Sequence, residues 1–276
     1  MSACLRRFTS NSMKYTIPFR KSVPRVNVVR LEGVIMTRQG GLNDQAVGAI
    51  VERAFRKGKP VAVALAINSP GGSPVQSSLI AARIRRLADE KELPVFAFVE
   101  DVAASGGYWL ACAADKIMVD ESSIVGSIGV VSSGFGFDEF ISRHGIERRV
   151  HTSGGSKSQL DPFKPENPED VARLKSLQGD IHAAFIDHVK KSRGTRLGEG
   201  VDLFDGSFWT GRRGVELGLA DGIGHLVPTM KETYGEKVKF SVFGPRRSFI
   251  RRFGIELAQR ALSGVEERSH WARFGL

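Results

Sequence analysis

Apolar positions in this chain fall into short blocks whose spacing alternates between strand and helix. The β-branched run RVNVVRLEGVI, from Arg25 to Ile35, predicts a first strand. Val47, Ile50, Val51, Ala54 and Phe55 then recur at helical spacing. Asn43 or Asp44 can cap that helix, and Gly58-Lys59-Pro60 stops it. VAVALAI, from Val61 to Ile67, is apolar at every position, as expected of a strand covered on both faces. PVQSSLIAARIRRLADEKEL predicts a second helix and PVFAFVED a third, buried strand that leads to Ser105. The helix GGYWLACAAD, the strand DKIMVD and the glycine-punctuated ESSIVGSIGVVSSG follow. Asn167-Pro168-Glu169-Asp170 supplies a cap, a first-turn proline and two first-turn acids for a long helix over Val171 to Lys191.

Strand, helix and strand in repeated order predict an α/β fold, with a mostly parallel sheet, right-handed crossovers and flanking helices. The pattern has no second start. One domain is therefore expected over 26–240, between a basic, disordered arm at 1–25 and a basic extension at 241–276. Within that extension, Phe249 to Leu262 is mildly amphipathic, with arginines on its polar side. It suits an anionic membrane surface or a neighbouring subunit equally.

Charge changes this picture less than its total suggests. The formal net charge is +10, but residues 1–31 carry seven Lys/Arg and no acid, and residues 246–276 carry seven Arg against three Glu. The middle of the chain is near neutral. A nucleic-acid domain shows its basic stripe on the folded body, so nucleic acid is not an expected partner. The first 31 residues share the Arg, Ser and Thr of an organelle transit segment, which would make the location mitochondrial. Pro18 and Pro24 interrupt them, and a membrane-surface arm fits as well. The longest apolar runs fall far short of the roughly 18–20 residues of a membrane-spanning helix. Cys4 and Cys112 form neither a disulfide framework nor a CxxC metal site.

Candidate chemistry sits on two glycine turns, Asn68-Ser69-Pro70-Gly71-Gly72-Ser73 and Ala103-Ala104-Ser105-Gly106-Gly107, each following a buried strand. In an open α/β sheet such turns face one crevice. Glycine serves tight turning, but it also lets backbone N–H groups approach a ligand and stabilise developing negative charge. Ser105 is placed for a helix N-cap. Its small neighbours also clear the space a nucleophile needs. A nucleophilic serine requires a base. The six histidines, His144, His151, His182, His188, His225 and His270, lie outside glycine-rich settings, and His182 and His188 suit a polar helix surface. A lysine can replace histidine if burial lowers its pKa from about 10.4. Lys157, in HTSGGSKSQLDPF, lies among small and apolar residues, although an isolated loop lysine is ordinarily just solvated.

Five motifs in order resemble the signal peptide peptidase A (protease IV) family, in its short single-copy bacterial form without the membrane anchor. They are NSPGG (Asn68 to Gly72), ASGGYWLACAADKI (Ala104 to Ile117), GSIGV (Gly126 to Val130), GSKSQLDPF (Gly155 to Phe163) and GLADGIG (Gly218 to Gly224). The resemblance implies a Clp protease/crotonase-like fold and a serine endopeptidase domain over 26–240 that needs no metal or cofactor. It makes Ser105 the nucleophile and Lys157 the general base. Gly72 and Gly106 would supply the oxyanion hole, and Ser127 would hydrogen-bond the lysine. Small or apolar peptide segments, such as remnant signal peptides or misfolded polypeptides, would be the substrates. Homo-oligomeric rings or domes are expected, with a cytoplasmic location or peripheral attachment to the inner membrane through the basic ends. Two alternatives stay open: a crotonase-like acyl-CoA enzyme using carboxylates such as Glu100 or Asp101, and a non-catalytic membrane-associated scaffold.

Overall fold

The computed structural model describes residues 23–37, 40–244 and 270–276. The arm at 1–25 lies almost wholly outside the described residues, and the amphipathic stretch Phe249 to Leu262 wholly so. The chain begins with β1 (Arg25–Glu32), α1 (Asp44–Arg56), β2 (Ala62–Ser69), α2 (Pro74–Lys91), β3 (Val95–Ala104) and α3 (Gly106–Ala111). It continues through β4 (Lys116–Val119), β5 (Ile124–Gly126), α4 (Asp138–Arg143) and α5 (Pro168–Arg193). β6 (Phe208–Thr210), α6 (Gly211–Glu216), β7 (Gly222–Ile223), α7 (Leu226–Tyr234) and β8 (Lys239–Phe243) complete it. The eight strands form one α/β sheet in the order β6-β5-β3-β2-β1-β8, with β4 paired to β3 off that path and β7 paired to β4. Every pairing is parallel except β5 with β6. β8 pairs with β1 over Lys239–Phe243, so the sheet crosses position 240.

Period-two alternation sorts the strands onto two faces. Val29, Leu31, Val63, Leu65 and Ile67 pack with α1, α2, α3 and the last turns of α5 in the main core. The opposite face of β2 is Ala62, Ala64 and Ala66, and these small residues leave room for Phe96 and Phe98 of β3 and Met230 of α7. Asn43 caps α1 by accepting the Ala46 N–H at 2.9 Å.

The stop expected at Asp101 does not occur. Ile67 pairs with Val99 but Ser69 with Ala103, so β3 carries two extra residues, Glu100 and Asp101, in a bulge. Asn68 pins that bulge from β2: its Nδ2 donates to Asp101 Oδ2 at 2.6 Å, and its Oδ1 accepts the Val102 N–H at 3.2 Å. β3 then runs on to Ala104 and delivers Ser105.

α5 is far longer than its support. Of its 26 residues only Phe185, Val189 and Arg193 are buried. Phe185 stacks on Trp109 of α3, as does His188, whose pKa burial lowers. Arg193 donates through Nε to the Gly218 carbonyl and through both terminal nitrogens to Asp221, while Asp221 also accepts the Ile117 N–H. Burial raises the Asp221 carboxyl, but these hydrogen bonds outweigh it and hold the pKa below its usual range. The GLADGIG motif thus locks the end of α5 to the sheet. Arg193→Met removes the buried bidentate partner of Asp221 and leaves it Arg196 at 3.2 Å and the Ile117 N–H, so it is expected to cost about 2–3 kcal/mol of stability, read as a lower urea midpoint.

Candidate active site

Ser105 sits at the junction of β3 and α3 with φ 51° and ψ −122°, a conformation that costs a non-glycine residue about 1–3 kcal/mol. Two backbone bonds hold it there. Its N–H donates to the Gly126 carbonyl at 2.8 Å, and its carbonyl accepts the Trp109 N–H at 3.0 Å. Its side chain makes no capping bond to α3. The N-cap reading therefore fails, and Oγ is left partly exposed to a cavity of about 750 Å³.

Close backbone contact builds the cradle. A Cβ on Gly71 would lie 2.8 Å from the Ala104 carbonyl oxygen and from Ser105 Cβ, and one on Gly107 would lie 2.3 Å from the Ser69 carbonyl oxygen. Gly72, at φ 138°, has the Ile35 carbonyl oxygen 2.1 Å from where its Cβ would be. Ile35 ties this turn down, donating to Gly71 and accepting from Ser73, both at 2.8 Å. The Gly72 N–H takes no part in that bridge. Among the described residues, neither it nor the Gly106 N–H has an acceptor.

The two glycine turns do face one crevice. Gly72, Ser105 and Ser127 line the same cavity. β5 stops at Gly126, because Ser127 adopts φ 52°, outside the strand region, and its N–H turns to the Ser207 carbonyl. Ser127 is nevertheless buried at the cavity wall. His182 lines the cavity too, its Nε2 3.0 Å from the Ile128 carbonyl. Sequence spacing placed His182 only on a helix surface; that α5 crosses this crevice is a tertiary fact. Asp205 is a further lining residue, and its carboxylate is spent on the Ser207 N–H at 2.8 Å, which lowers its pKa.

Lys157 is not among the lining residues. It is exposed, in a turn where its N–H donates to the Gly154 carbonyl, on the segment 131–166 that projects from the sheet. Asp161 of the DPF motif shapes this segment by accepting the Phe163 N–H and the Arg148 guanidinium. Phe137 stacks on Phe163 beneath it. Glu100 and Asp101 are also remote. Glu100 pairs with Arg30, Asp101 holds Asn68, and both line a different cavity, with Phe98 and His225. Neither faces Ser105, so no carboxylate of the kind acyl-CoA chemistry would use is supplied there by the bulge.

Known proteins bear on this geometry. The model of peptidase family S49 matches residues 88–237. Protease 4 of Haemophilus influenzae is 31% identical over 72% of this chain and 33% of its own length. A Brucella melitensis protein named Na(+)/H(+) antiporter NhaA is 47% identical over 100% of this chain, which spans 41% of that relative. A solved membrane-bound stomatin-specific protease, a lysine-to-alanine variant with a substrate peptide, has the same fold at TM-score 0.50 and 14% identity. That match covers 83% of this chain and 95% of the other. No described helix is long and apolar enough to cross a membrane.

Because the Gly72 turn abuts the Ile35 backbone, Gly72→Ala is expected to destabilise the fold by about 3 kcal/mol. Thermal melts in a Ser105→Ala background read this cost without any contribution from turnover.

Proposed function

This chain belongs to peptidase family S49, and from that premise we propose that it cleaves peptides with a Ser105–Lys157 dyad. The observation that carries the reading is Ser105 itself: a strained serine whose side chain caps nothing and lines a cavity together with Gly72, whose N–H is unpaired among the described residues. Oγ attacks the scissile carbonyl and Lys157 Nζ takes its proton. The Gly72 and Gly106 N–H groups receive the oxyanion. Collapse breaks the C–N bond as Nζ protonates the leaving amine. Water, deprotonated in turn by Nζ, then hydrolyses the acyl-serine. Ser127 Oγ orients Nζ once the lysine arrives. Small or apolar peptide segments, such as signal-peptide remnants, suit the narrow glycine-lined cleft. A peptide-bound protease of the same fold supports the substrate class, and its lysine variant supports the base. The antiporter name belongs to a protein more than twice as long, and no transport role is carried over from it.

Lys157 reaches Ser105 only when the segment 131–166 closes over the cavity. Only a neutral amine can take the proton, and burying a lysine favours that neutral form; closure supplies the burial. The segment is built to be covered. Val131, Phe135, Phe140 and Ile146 are exposed along it, Phe135 at 81%, and Leu177 extends the apolar surface onto α5. A second copy of the chain is the occupant we assign, so that assembly and completion of the dyad are one event. Peripheral contact of the basic ends with an anionic membrane belongs to the same proposal.

Ser105→Ala and Lys157→Ala are each expected to lower turnover of fluorogenic apolar peptides by on the order of 10⁴-fold with the fold intact. His182→Ala is expected to keep most activity. If instead Lys157→Ala stays active and His182→Ala is dead, the base is His182. Sedimentation of the native chain is expected to show an oligomer, and a Phe135→Ser, Phe140→Ser double variant is expected to dissociate it and lose activity with it.

A further inference from the structure

The two N–H groups that receive the oxyanion in the proposed mechanism come from turns that follow different strands. Gly72 leads into α2, and Gly106 opens α3. Their separation therefore depends on how the start of α2 meets the start of α3. Part of that contact is backbone against backbone, since Gly71 abuts Ala104 and the Gly106 nitrogen, and Gly107 abuts the Ser69 carbonyl. The rest is made by one buried hydroxyl, that of Ser77.

Ser77 lies in the first turn of α2 and is fully buried. Its Oγ donates to the Ser73 carbonyl at 2.9 Å, an acceptor that the Ser77 N–H already reaches at 3.1 Å. The hydroxyl thus satisfies no group that would otherwise lack a partner, and a serine bonded back to its own helix does not strengthen it. Alanine has the better helix propensity at such a position. What the hydroxyl does besides is reach α3. A Cβ placed on Gly106 would collide with Ser77 Oγ, with Ile35 Cδ1 at 3.2 Å and the Gly71 α-carbon at 3.4 Å as its other neighbours. Ser77 Oγ therefore fills the space beside the Gly106 α-carbon, and its bond to Ser73 fixes it there. The Ser73 N–H in turn donates to the carbonyl of Ile35, the residue on which Gly72 packs. A continuous line of contacts, through Ile35, Ser73 and Ser77, joins Gly72 to Gly106.

We propose that Ser77 is a positioning residue for the oxyanion hole, a spacer of hydroxyl size that sets the separation of the Gly72 and Gly106 N–H groups. It is not among the residues lining the Ser105 cavity and acts only through the two glycine turns. The inference rests on the peptidase reading and adds to it a residue that touches no substrate. A smaller side chain lets α3 settle towards α2, and a larger one drives them apart. A close-packed interior passes either change on to the turns. Oxyanion donors act through alignment with a charge that develops in the transition state, so the loss falls on kcat and not on substrate binding.

Ser77→Ala and Ser77→Cys are each expected to lower kcat on a fluorogenic apolar peptide about tenfold, with KM held within about twofold. A peptide aldehyde, whose adduct with Ser105 places an oxygen in the hole, is expected to bind both variants about tenfold more weakly than the native chain. The uncleaved peptide is expected to keep its affinity when the same changes are made in a Ser105→Ala background. A size swap reads the contact itself. Gly106→Ala alone is expected to lower kcat about a hundredfold, and adding Ser77→Ala to recover about tenfold of that, because the new methyl enters the space the hydroxyl leaves. Circular dichroism and thermal melts establish that each variant is folded, and should Gly106→Ala fail to fold, the two Ser77 variants decide. Full kcat in both of them overturns the proposal, as does a loss that appears in KM and peptide affinity with kcat intact. A native chain that neither cleaves peptides nor binds the aldehyde removes the peptidase reading and the spacer together, whereas an active native chain with fully active Ser77 variants removes the spacer alone.

Discussion

The structure depends on one backbone constraint, the bulge in β3 that Asn68 clamps from the neighbouring strand. Without the two extra residues, β3 would end in register with β2 and the chain would turn away at the position of Asp101. With them it continues to Ala104 and meets the Gly71-Gly72 turn at backbone contact distance. That contact leaves no room for side chains, so glycine is required sterically at several positions. The same crowding leaves two N–H groups unpaired and forces Ser105 out of the helical region. Packing and chemistry are therefore one feature here: the strain at the serine is offset by β-sheet and α3 contacts on either side.

Around this rigid half the molecule is unevenly supported. The core elements bury both faces of the sheet, whereas the segment 131–166 and the first half of α5 contribute few buried side chains. In the proposed mechanism, Ser105 is held in place and Lys157 lies on an exposed segment, which would divide the site into a fixed and a movable part. Under that proposal the neutral, proton-accepting amine is favoured only when the parts meet, because burying a lysine disfavours its charged form. The segment 270–276 lies on the fixed part, against the strand that carries the serine.

Signature motifs separate into structural and chemical roles once the fold is known. Asn68 pins the bulge, Ser69 donates to the Gly33 carbonyl at 2.7 Å, and Tyr108 donates to the Leu219 carbonyl at 2.8 Å. Asp221 anchors Arg193, and Asp161 shapes the loop of Lys157. Few of these residues face the cavity.

Periodicity by itself determined the first two-thirds of the element order, since apolar blocks bounded by caps, glycine and proline read directly as strands and helices. The small residues around Ser105 marked it as a candidate nucleophile, with a helix N-cap as the other use of a hydroxyl at that strand end. The strands β6 and β7 were not legible: two or three residues are too few to show a period, and pairing with a distant partner makes them strands. Nor was the length of β3, which a cross-strand clamp sets. The sequence already grouped Gly72 and Ser127 with Ser105; tertiary structure alone decided that His182 joins their cavity, that Glu100 and Asp101 do not, and that Lys157 stands apart. Local sequence encodes conformational preference within a few residues, whereas a site is assembled from groups brought together by long-range packing, and only the folded chain states which of them meet.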